Sequence, residues 1–322
     1  MRPSLLQMMC GLILTASVSL PSLAQDYPTK ALTIVVPFAA GSGTDQMARA
    51  MGQALMQEFK LAVVVENKPG ANGFIAAQAV ARAPADGYTL LMTTNTTHAA
   101  NEHLFNKLPY DPVKDFSPVT LLAKGHMALL VKPDSPIKSV ADLIADARKR
   151  PGKLSFGSGS SSSRVASELL RQMAGLDMPH VSYKSNPFAL TDLMGGQIDF
   201  MFADAPTAVP QINGGKLRPL AVSGPKRLAA LPNVPTVEEA GVKGYDMSYW
   251  TAVYLPAGAP AAVVKKLNEM LAKGMAAPAV VAFQTATSGE VSLSTPEGLA
   301  AFQAAESLKW GRVIKAAGIQ PE

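Results

Sequence analysis

The stretch LTIVVPFAAGSGTDQMARAMGQALMQEF occupies residues 32–59 and combines the signals of a strand, a loop and a helix in that order. Its first five residues are mostly apolar and β-branched, as in a buried strand. A proline and a Gly/Ser-rich loop follow. An apolar residue then recurs every four positions, as on one face of a helix, at Met47, Met51, Leu55 and Phe59. The stretch therefore predicts the first strand–loop–helix unit of an α/β domain.

The same alternation continues along the chain. Strands are predicted at 62–65 and 88–92, and Asn72 is predicted to cap a helix over 73–82 between them. This order of strands and helices is typical of a mostly parallel sheet.

A second α/β unit is predicted inside the first. Residues 119–131 are long and apolar for one strand, so we interpret them as crossing into the second unit, with 217–222 as the return crossing. We expect lobe I at 25–122 and 225–322, and lobe II at 123–224. Two crossings between two lobes predict a hinge, and the cleft between lobes is a preferred ligand site.

Composition excludes several other classes of protein. Hydrophobic residues make up 48% of the 322 residues and the net charge is only +5, which excludes intrinsic disorder. The single cysteine excludes a disulfide scaffold. The densest basic run, 148–150, lies at a predicted helix end and has none of the interleaved aromatics of a nucleic-acid surface. We therefore expect no nucleic-acid partner.

Residues 1–24 are predicted to be a secretory signal peptide. A positive residue precedes an uncharged apolar stretch over 5–20, and small residues precede a cleavage site after Ala24. The stretch is short for a membrane span and is followed by Pro21, which argues against an uncleaved anchor. The methionines before Cys10 argue against lipid attachment. We expect the mature chain to be exported.

Two matched loops carry the predicted chemistry. PFAAGSGTD (37–45) and FGSGSSSS (156–163) each connect a strand to a helix start. Such turns lie at the carboxyl edge of a parallel sheet, where free N–H groups favour an anion. If the lobes face each other, both loops can grip one carboxylate. The ligand-binding candidates in and beside these loops are Phe38, Ser42, Gly43, Thr44, Asp45, Ser158, Ser160, Ser161 and Ser162.

Further candidates follow other predicted strands. Asn95 lies in the loop 93–98, and Asp204 lies in the loop 203–206. Tyr183 and Trp250 are candidate pocket walls, with core packing as the alternative for Trp250. Every one of these loops also has a purely structural interpretation, since serine, glycine and asparagine are ordinary turn and cap residues.

Motifs of catalysis are missing from the sequence. The segment GSGTDQ (41–46) has Gln46 where a dinucleotide fingerprint has its third glycine, and neither a P-loop nor a G-x-S-x-G elbow occurs. The four histidines lack metal-ligand spacing. We predict no catalytic residue, no metal and no cofactor.

Several long motifs resemble one family. They include YPTKALTIVVPFAAGSGTDQMAR (27–49), VENKPGANG (65–73), DLMGGQIDFMF (192–202) and LPNVPTVEEAG (231–241). In these the chain resembles the substrate-binding receptors of tripartite tricarboxylate transporters, the Bug family of extracytoplasmic solute receptors. The resemblance implies a two-lobed, type II-like periplasmic binding protein, an α/β fold with two mixed or parallel sheets joined by crossing strands. It also implies a small carboxylate ligand and an integral membrane permease as transient partner.

The resemblance places the family's two ligand loops at 38–45 and 157–163. The chain departs from the family in a shorter second loop and in Arg164, where a histidine is common. Ser185 and Asn186 replace a usual glycine, and Asp204 lies one position beyond a usual acid. One step along a strand reverses the face of a side chain, so the role of Asp204 stays open.

The sequence as a whole predicts a monomeric, non-enzymatic receptor. One alternative is an exported serine-dependent hydrolase, which requires a nucleophile and a base in contact. The other is a sensor subunit that presents its ligand to a signalling partner, and nothing in the sequence separates that role from transport.

Overall fold

The computed structural model describes residues 27–322. The predicted signal peptide, its cleavage after Ala24 and Cys10 lie outside the described residues. The strands are β1 (Leu32–Val36), β2 (Val63–Asn67), β3 (Thr89–Thr94), β4 (Phe116–Val131), β5 (Phe156–Ser158), β6 (His180–Ser182), β7 (Phe200–Asp204), β8 (Arg218–Val222), β9 (Ser248–Pro256) and β10 (Glu290–Val291). The helices are α1 (Gly43–Phe59), α2 (Phe74–Ala81), α3 (Asn101–Leu104), α4 (Val140–Lys149), α5 (Ser161–Ala174), α6 (Asn186–Gly195), α7 (Ala205–Asn213), α8 (Ala261–Met275), α9 (Pro278–Thr287) and α10 (Pro296–Ala316).

The strands form a mixed sheet in the order β2-β1-β3-β9-β4-β7-β5-β6, with β8 and β10 also paired to β4. Strands β1, β2 and β3 are parallel, and β9 runs antiparallel to both β3 and β4. Strands β5, β6 and β7 are parallel, and β7 and β8 run antiparallel to β4. We call the part around β1–β3 and β9 the first lobe and the part around β5–β8 the second lobe. The predicted two-lobed α/β fold is confirmed.

The long strand β4 joins the lobes. It has 16 residues and is therefore about 50 Å long. Phe116–His126 pair with β9 in the first lobe, whereas Met127–Val131 pair with β7 and β8 in the second. The apolar stretch 119–131 does cross between the lobes, as its length predicted.

The chain returns to the first lobe later than predicted. Residues 217–222 were expected to make the return crossing, but β8 pairs with Ala128–Val131 inside the second lobe. The chain then stays against that lobe, since Val222 bridges Thr236 and Leu228 is buried in its core. The first-lobe partner of β4 is β9, so the return crossing precedes β9 and the expectation for 217–222 is wrong.

Three chain segments meet where the lobes join. The Ser223 hydroxyl accepts a hydrogen bond from the Met127 N–H (2.9 Å) and donates to the Met247 carbonyl (2.6 Å). Gly224 leaves room for the His126 ring, because a Cβ at position 224 would lie 2.5 Å from that ring. We call His126, Met127, Ser223, Gly224 and Met247 the hinge cluster.

A continuous apolar core lies behind the cleft. Helix α10 of the first lobe packs against α5 of the second, and one buried cluster contains Trp250, Tyr254, Phe202 and Tyr245. Trp250 is 1% exposed, and its Nε1 donates to Glu306. Core packing is therefore the correct interpretation of Trp250, and the pocket-wall interpretation is wrong.

One predicted helix cap is also wrong. Asn72 lies inside a short 3₁₀ turn (Ala71–Gly73) with φ +49°, and α2 begins at Phe74 with Gly73 as its N-cap. Instead, the Asn72 carbonyl accepts a hydrogen bond from the Asn101 side chain (2.8 Å). The helix itself lies where the sequence predicted it.

Candidate ligand-binding site

A cavity lies between the two lobes and includes the ends of both predicted ligand loops. Its volume is about 610 Å³ including the open mouth. The residues that border it are Phe38, Ser42, Gly43, Thr44, Met47, Thr94, Ala123, Lys124, Ser160, Ser162, Ser185, Asn186, Asp204, Pro206, Tyr249, Thr251, Phe283 and Gln284. Each lobe therefore contributes a helix start to the same space.

The first helix start is that of α1. Ser42 is its N-cap, and the Ser42 hydroxyl accepts a hydrogen bond from the Asp45 N–H (3.3 Å). The first amides of a helix have no acceptor within the helix, and this cap uses only one of them. The N–H groups of Gly43 and Thr44 are left at a helix end that borders the cavity. This end carries the positive partial charge of the helix dipole.

Asp45 does not border the cavity and instead stabilises the first loop through hydrogen bonds. It is 2% exposed and accepts hydrogen bonds from the Gly41 N–H and from the side chains of Asn67 and Arg49, at 2.9–3.1 Å. Burial alone would raise the pKa of Asp45, but these hydrogen bonds and the charge of Arg49 outweigh it and lower the pKa. The ionised carboxylate holds the loop in shape.

The second helix start is that of α5, and it repeats the arrangement of the first. Ser160 is the N-cap and its hydroxyl accepts from the Ser163 N–H (3.2 Å). Ser160 and Ser162 border the cavity. The N–H groups of Ser161 and Ser162 are the equivalents of those of Gly43 and Thr44, since they are the first two residues of their helix.

Two asparagines of the first lobe bind the start of α5. The Asn95 side chain is hydrogen-bonded to the Ser162 hydroxyl (3.0 Å), and the Ser161 hydroxyl donates to Asn101 (3.0 Å). A π-helical turn (Thr96–Ala100) separates the two asparagines. Neither Asn95 nor Ser161 borders the cavity, so the structure places both in the contact between the lobes.

Asp204 borders the cavity directly opposite the start of α1. Its carboxylate accepts hydrogen bonds from the Asn186 side chain (2.8 Å) and from the Thr207 hydroxyl. A Cβ at position 43 would lie 2.3 Å from Asp204 Oδ2, so Gly43 permits this close approach between the lobes. Asp204, which lies one position beyond the acid that is usual in the family, therefore still borders the cavity.

Two further predicted site residues, Tyr183 and Ser158, also lie outside the cavity. The Tyr183 hydroxyl donates to Asp192 (2.8 Å), and burial followed by this carboxylate raises the pKa of Tyr183 to about 12. The Ser158 hydroxyl is 2.7 Å from His180 Nε2, and His180 stacks on Phe156. Burial, followed by the charge of Arg164, lowers the pKa of His180 to about 4.

Sequence analysis missed the wall that β9 supplies. Tyr249 and Thr251 border the cavity, whereas Trp250 between them faces the core, as the alternation of a strand requires. The Tyr249 ring lies over Gly125, where a Cβ would be 2.5 Å from the tyrosine hydroxyl oxygen. Burial and the charge of Asp204 raise the pKa of Tyr249, so its hydroxyl stays protonated at neutral pH.

Sequence analysis also missed Phe283 and Gln284 on α9, and Ser185 and Asn186 before and at the start of α6. The last two are the positions where the chain departs from its family's glycine. Ser185 accepts a hydrogen bond from the Ala39 N–H (3.1 Å), which is another contact between the lobes.

Neutral groups dominate the cavity wall. Within residues 27–322, the wall residues with a full charge are Lys124 and Asp204. The Lys124 ammonium lies 4.6 Å from the centre of the Phe302 ring, on the α10 side of the sheet. Over the same range no cluster of three or more His, Cys, Asp or Glu residues could hold a metal ion. An anion in the cavity would therefore be held by amides and hydroxyls.

The family model described as "Tripartite tricarboxylate transporter family receptor" matches residues 46–319. The chain belongs to this receptor family. It is 31% identical to Protein BugT of Bordetella pertussis over 309 residues, which cover 95% of each chain. It is 33% identical to the UPF0065 protein in the tcbD-tcbE intergenic region of Pseudomonas sp. strain P51, over 94% of this chain and 91% of that one. The family predicted from the motifs is confirmed.

Solved structures of similar proteins share the whole fold. An R. palustris protein with adipate has a TM-score of 0.89 and 36% identity, covering 92% of this chain and 100% of that one. The periplasmic binding protein BugD has a TM-score of 0.88 and 31% identity with the same coverage. MatC from Rhodopseudomonas palustris with bound malate has a TM-score of 0.84 and 31% identity, covering 89% and 100%.

These matches make the chain a solute-binding receptor of the tripartite tricarboxylate transporter type. Its structural neighbours are solute-binding proteins. Across the described part of the chain, no helix is both long enough and apolar enough to cross a membrane.

Proposed function

We propose that the receptor is periplasmic, closes its two lobes on a small carboxylate and delivers it to an integral membrane permease. The observation that carries this proposal is the position of two capped helix starts, those of α1 and α5, on opposite sides of one cavity. Helix starts bind anions because their free amides point at the ligand and their dipoles favour negative charge.

The energies agree with binding that uses no cation. A hydrogen bond to a charged group contributes about 1.5–3 kcal/mol. Micromolar affinity requires about −8 kcal/mol. Roughly three to five such bonds reach that value after the entropy of association is subtracted. The amides of the two helix starts and the hydroxyl of Thr44 are enough donors for one carboxylate.

Closure follows from contact with both lobes. A ligand that touches α1 and α5 together binds the closed arrangement better than the open one, so it shifts the population toward closure. The hydrogen bonds Asn95–Ser162 and Ala39–Ser185 add to the same arrangement. The permease would recognise this closed, monomeric form. The neighbours solved with adipate and malate support a carboxylate as the solute class.

One contact in the structure is of the kind that a hydrolase requires, but it lies outside the cavity. Ser158 and His180 form the serine–histidine pair that a hydrolase needs. However, neither residue borders the cavity, and Ser158 is 4% exposed. Within residues 27–322, no carboxylate forms a hydrogen bond with His180 to orient its ring. The proposal is therefore a binding protein without catalysis.

Two substitutions of Gly43 test the helix start. Gly43 is the first residue of α1, where proline is tolerated, and Ser42 before it is already extended. Gly43→Pro removes the backbone N–H and adds side-chain atoms near Asp204. Gly43→Ala adds a Cβ near Asp204 but keeps the N–H. We expect both to weaken carboxylate binding in calorimetric titration, and proline by at least about tenfold more than alanine, the value of one charge-assisted bond.

Ala261→Pro is the matched control for this experiment. Ala261 is the exposed first residue of α8 and does not border the cavity. We expect this variant to bind like the wild type. Full affinity in a folded Gly43→Pro protein would overturn the placement of the ligand.

A further inference from the structure

Gln284 presents a buried amide without a partner at the cavity. The residue lies on α9, borders the cavity and is 6% exposed. Its Nε2 has no hydrogen-bond partner within residues 27–322. An unsatisfied buried polar group costs about 1–3 kcal/mol, and proteins rarely leave one in place. A bound solute would supply the missing partner.

The surroundings leave room for this amide. A Cβ at position 289 would lie 1.9 Å from Gln284 Oε1, so the absence of a side chain at Gly289 makes room for the carboxamide. Helix α9 packs against α1 in the first lobe and α7 in the second. Gln284 therefore lies where both lobes close around the solute.

The charges around Gln284 select what it can bind. The two helix starts serve one carboxylate. Lys124, the one cationic wall residue within 27–322, pairs with the core-facing Trp250 and has its ammonium over Phe302, away from the cavity. Asp204 adds a negative charge to the same wall. A second ionised carboxylate would lose its water without gaining a cation, which costs several kcal/mol. A neutral amide or hydroxyl group escapes this cost and matches the carboxamide of Gln284 and the hydroxyl of Tyr249.

We propose that Gln284 hydrogen-bonds an uncharged amide or hydroxyl group of the solute. The receptor then selects acids with one carboxylate and one such group over dicarboxylates of the same length. This inference rests on the proposed function, since it takes the first carboxylate to be held by α1 and α5. It distinguishes this chain from the neighbour solved with adipate, a dicarboxylate.

A matched ligand panel tests the selection. The wild type and Gln284→Met are titrated by calorimetry with succinamate, glutaramate and adipamate, with the corresponding dicarboxylates, and with simple monocarboxylates of equal length. We expect the wild type to bind the best monoamide at least tenfold more tightly than its dicarboxylate. We expect Gln284→Met to lose about five- to tenfold for that monoamide, the value of one neutral hydrogen bond, and nothing for the monocarboxylate.

Thermal unfolding of the ligand-free proteins gives an independent result. Methionine fills a similar volume without an unsatisfied amide, so Gln284→Met is expected to raise the melting temperature. Gln303 is the matched control, because it is buried, its amide nitrogen donates to the Pro112 carbonyl (2.9 Å) and its amide oxygen accepts from the Tyr254 hydroxyl (3.1 Å). We expect Gln303→Met to lower the melting temperature and to leave the ligand preference unchanged.

The outcomes separate the two proposals. If no acid of the panel binds the wild type, the proposed function fails and this inference falls with it. If acids bind but dicarboxylates are preferred, or if Gln284→Met leaves the affinity for monoamides unchanged, only the inference is overturned.

Discussion

His98 is a titratable residue in the core of the first lobe. It is fully buried, its ring stacks on Tyr254 with centroids 4.0 Å apart, and its Nδ1 is hydrogen-bonded with the Thr97 hydroxyl (2.8 Å). Burial lowers the pKa of His98 to about 3. The folded protein therefore keeps this ring neutral under conditions where an unfolded chain protonates it.

Because His98 is buried in its neutral form, the free energy of unfolding is predicted to fall in acid. Between about pH 6.5 and pH 3 the unfolded chain binds a proton at His98 that the folded chain does not, so stability rises with pH in this window. The contribution is about 1.4 kcal/mol per pH unit, or about 2 kcal/mol lost between pH 6.5 and 5. His180, with a pKa of about 4 in the folded state, adds a similar slope in the upper part of the window.

His98→Phe keeps the aromatic stack and removes the titration. Urea unfolding at several pH values between 5 and 8 should show that the free energy of unfolding falls less steeply with decreasing pH in this variant than in the wild type. Above pH 7 the free energies of unfolding of the two proteins should depend on pH in the same way. Equal slopes below pH 6.5 would show that the ring is protonated in the folded protein.

At the scale of elements, the hinge cluster ties β4, the end of β8 and the start of β9 together. The Ser223 hydroxyl accepts a hydrogen bond from the Met127 N–H and donates one to the Met247 carbonyl. Met127 and Met247 are both buried residues.

Ser223→Ala leaves these two backbone groups without their hydroxyl partner. We expect a loss of about 1–3 kcal/mol in the free energy of unfolding, measured by urea titration. Ser182→Ala, at an exposed strand position, is the control and should lie within about 0.5 kcal/mol of the wild type. A Ser223→Ala protein as stable as this control would show that the hinge does not depend on the hydroxyl.

Strand–loop–helix units with clear apolar patterns were predictable, and the two capped loops are examples. Helix α9 was not predicted because its buried residues Val280, Gln284 and Thr287 have helical spacing but two are polar. The face of β9 was not predictable because the strand is apolar or aromatic on both sides, so Tyr249 and Trp250 could not be told apart. These two elements, together with Ser185 and Asn186 at the start of α6, supply parts of the site that sequence analysis missed.

At the scale of the whole molecule, closure depends on contacts far apart in sequence. Ala39 and Ser185 meet across the cleft (3.1 Å), as do Gln46 and the Pro206 carbonyl (3.3 Å). Sequence periodicity contains no information about such pairs, because they form only when two separately folded lobes approach. The departure from glycine at 185 therefore became interpretable only in the structure.

The pair Ala39→Cys and Ser185→Cys provides a lock for the closed state. The chain's single cysteine lies in the predicted signal peptide, so a mature double variant has no competing thiol. We expect the oxidised protein to bind a carboxylate at least tenfold more slowly than the reduced protein in stopped-flow measurements, because the solute can no longer enter. Each single-cysteine variant is a control, and equal rates in both redox states would contradict closure by these lobes.

The register of β4 has a mechanical consequence. Asp204, a wall of the cavity, is paired with Met127, the residue at which β4 exchanges β9 for β7 and β8. The cavity wall and the point where β4 crosses between the lobes therefore share one pair of strand residues, Asp204 and Met127. In the proposed closure, a shift of Asp204 would therefore reach the crossing point of β4 directly, through this one pair of strand residues.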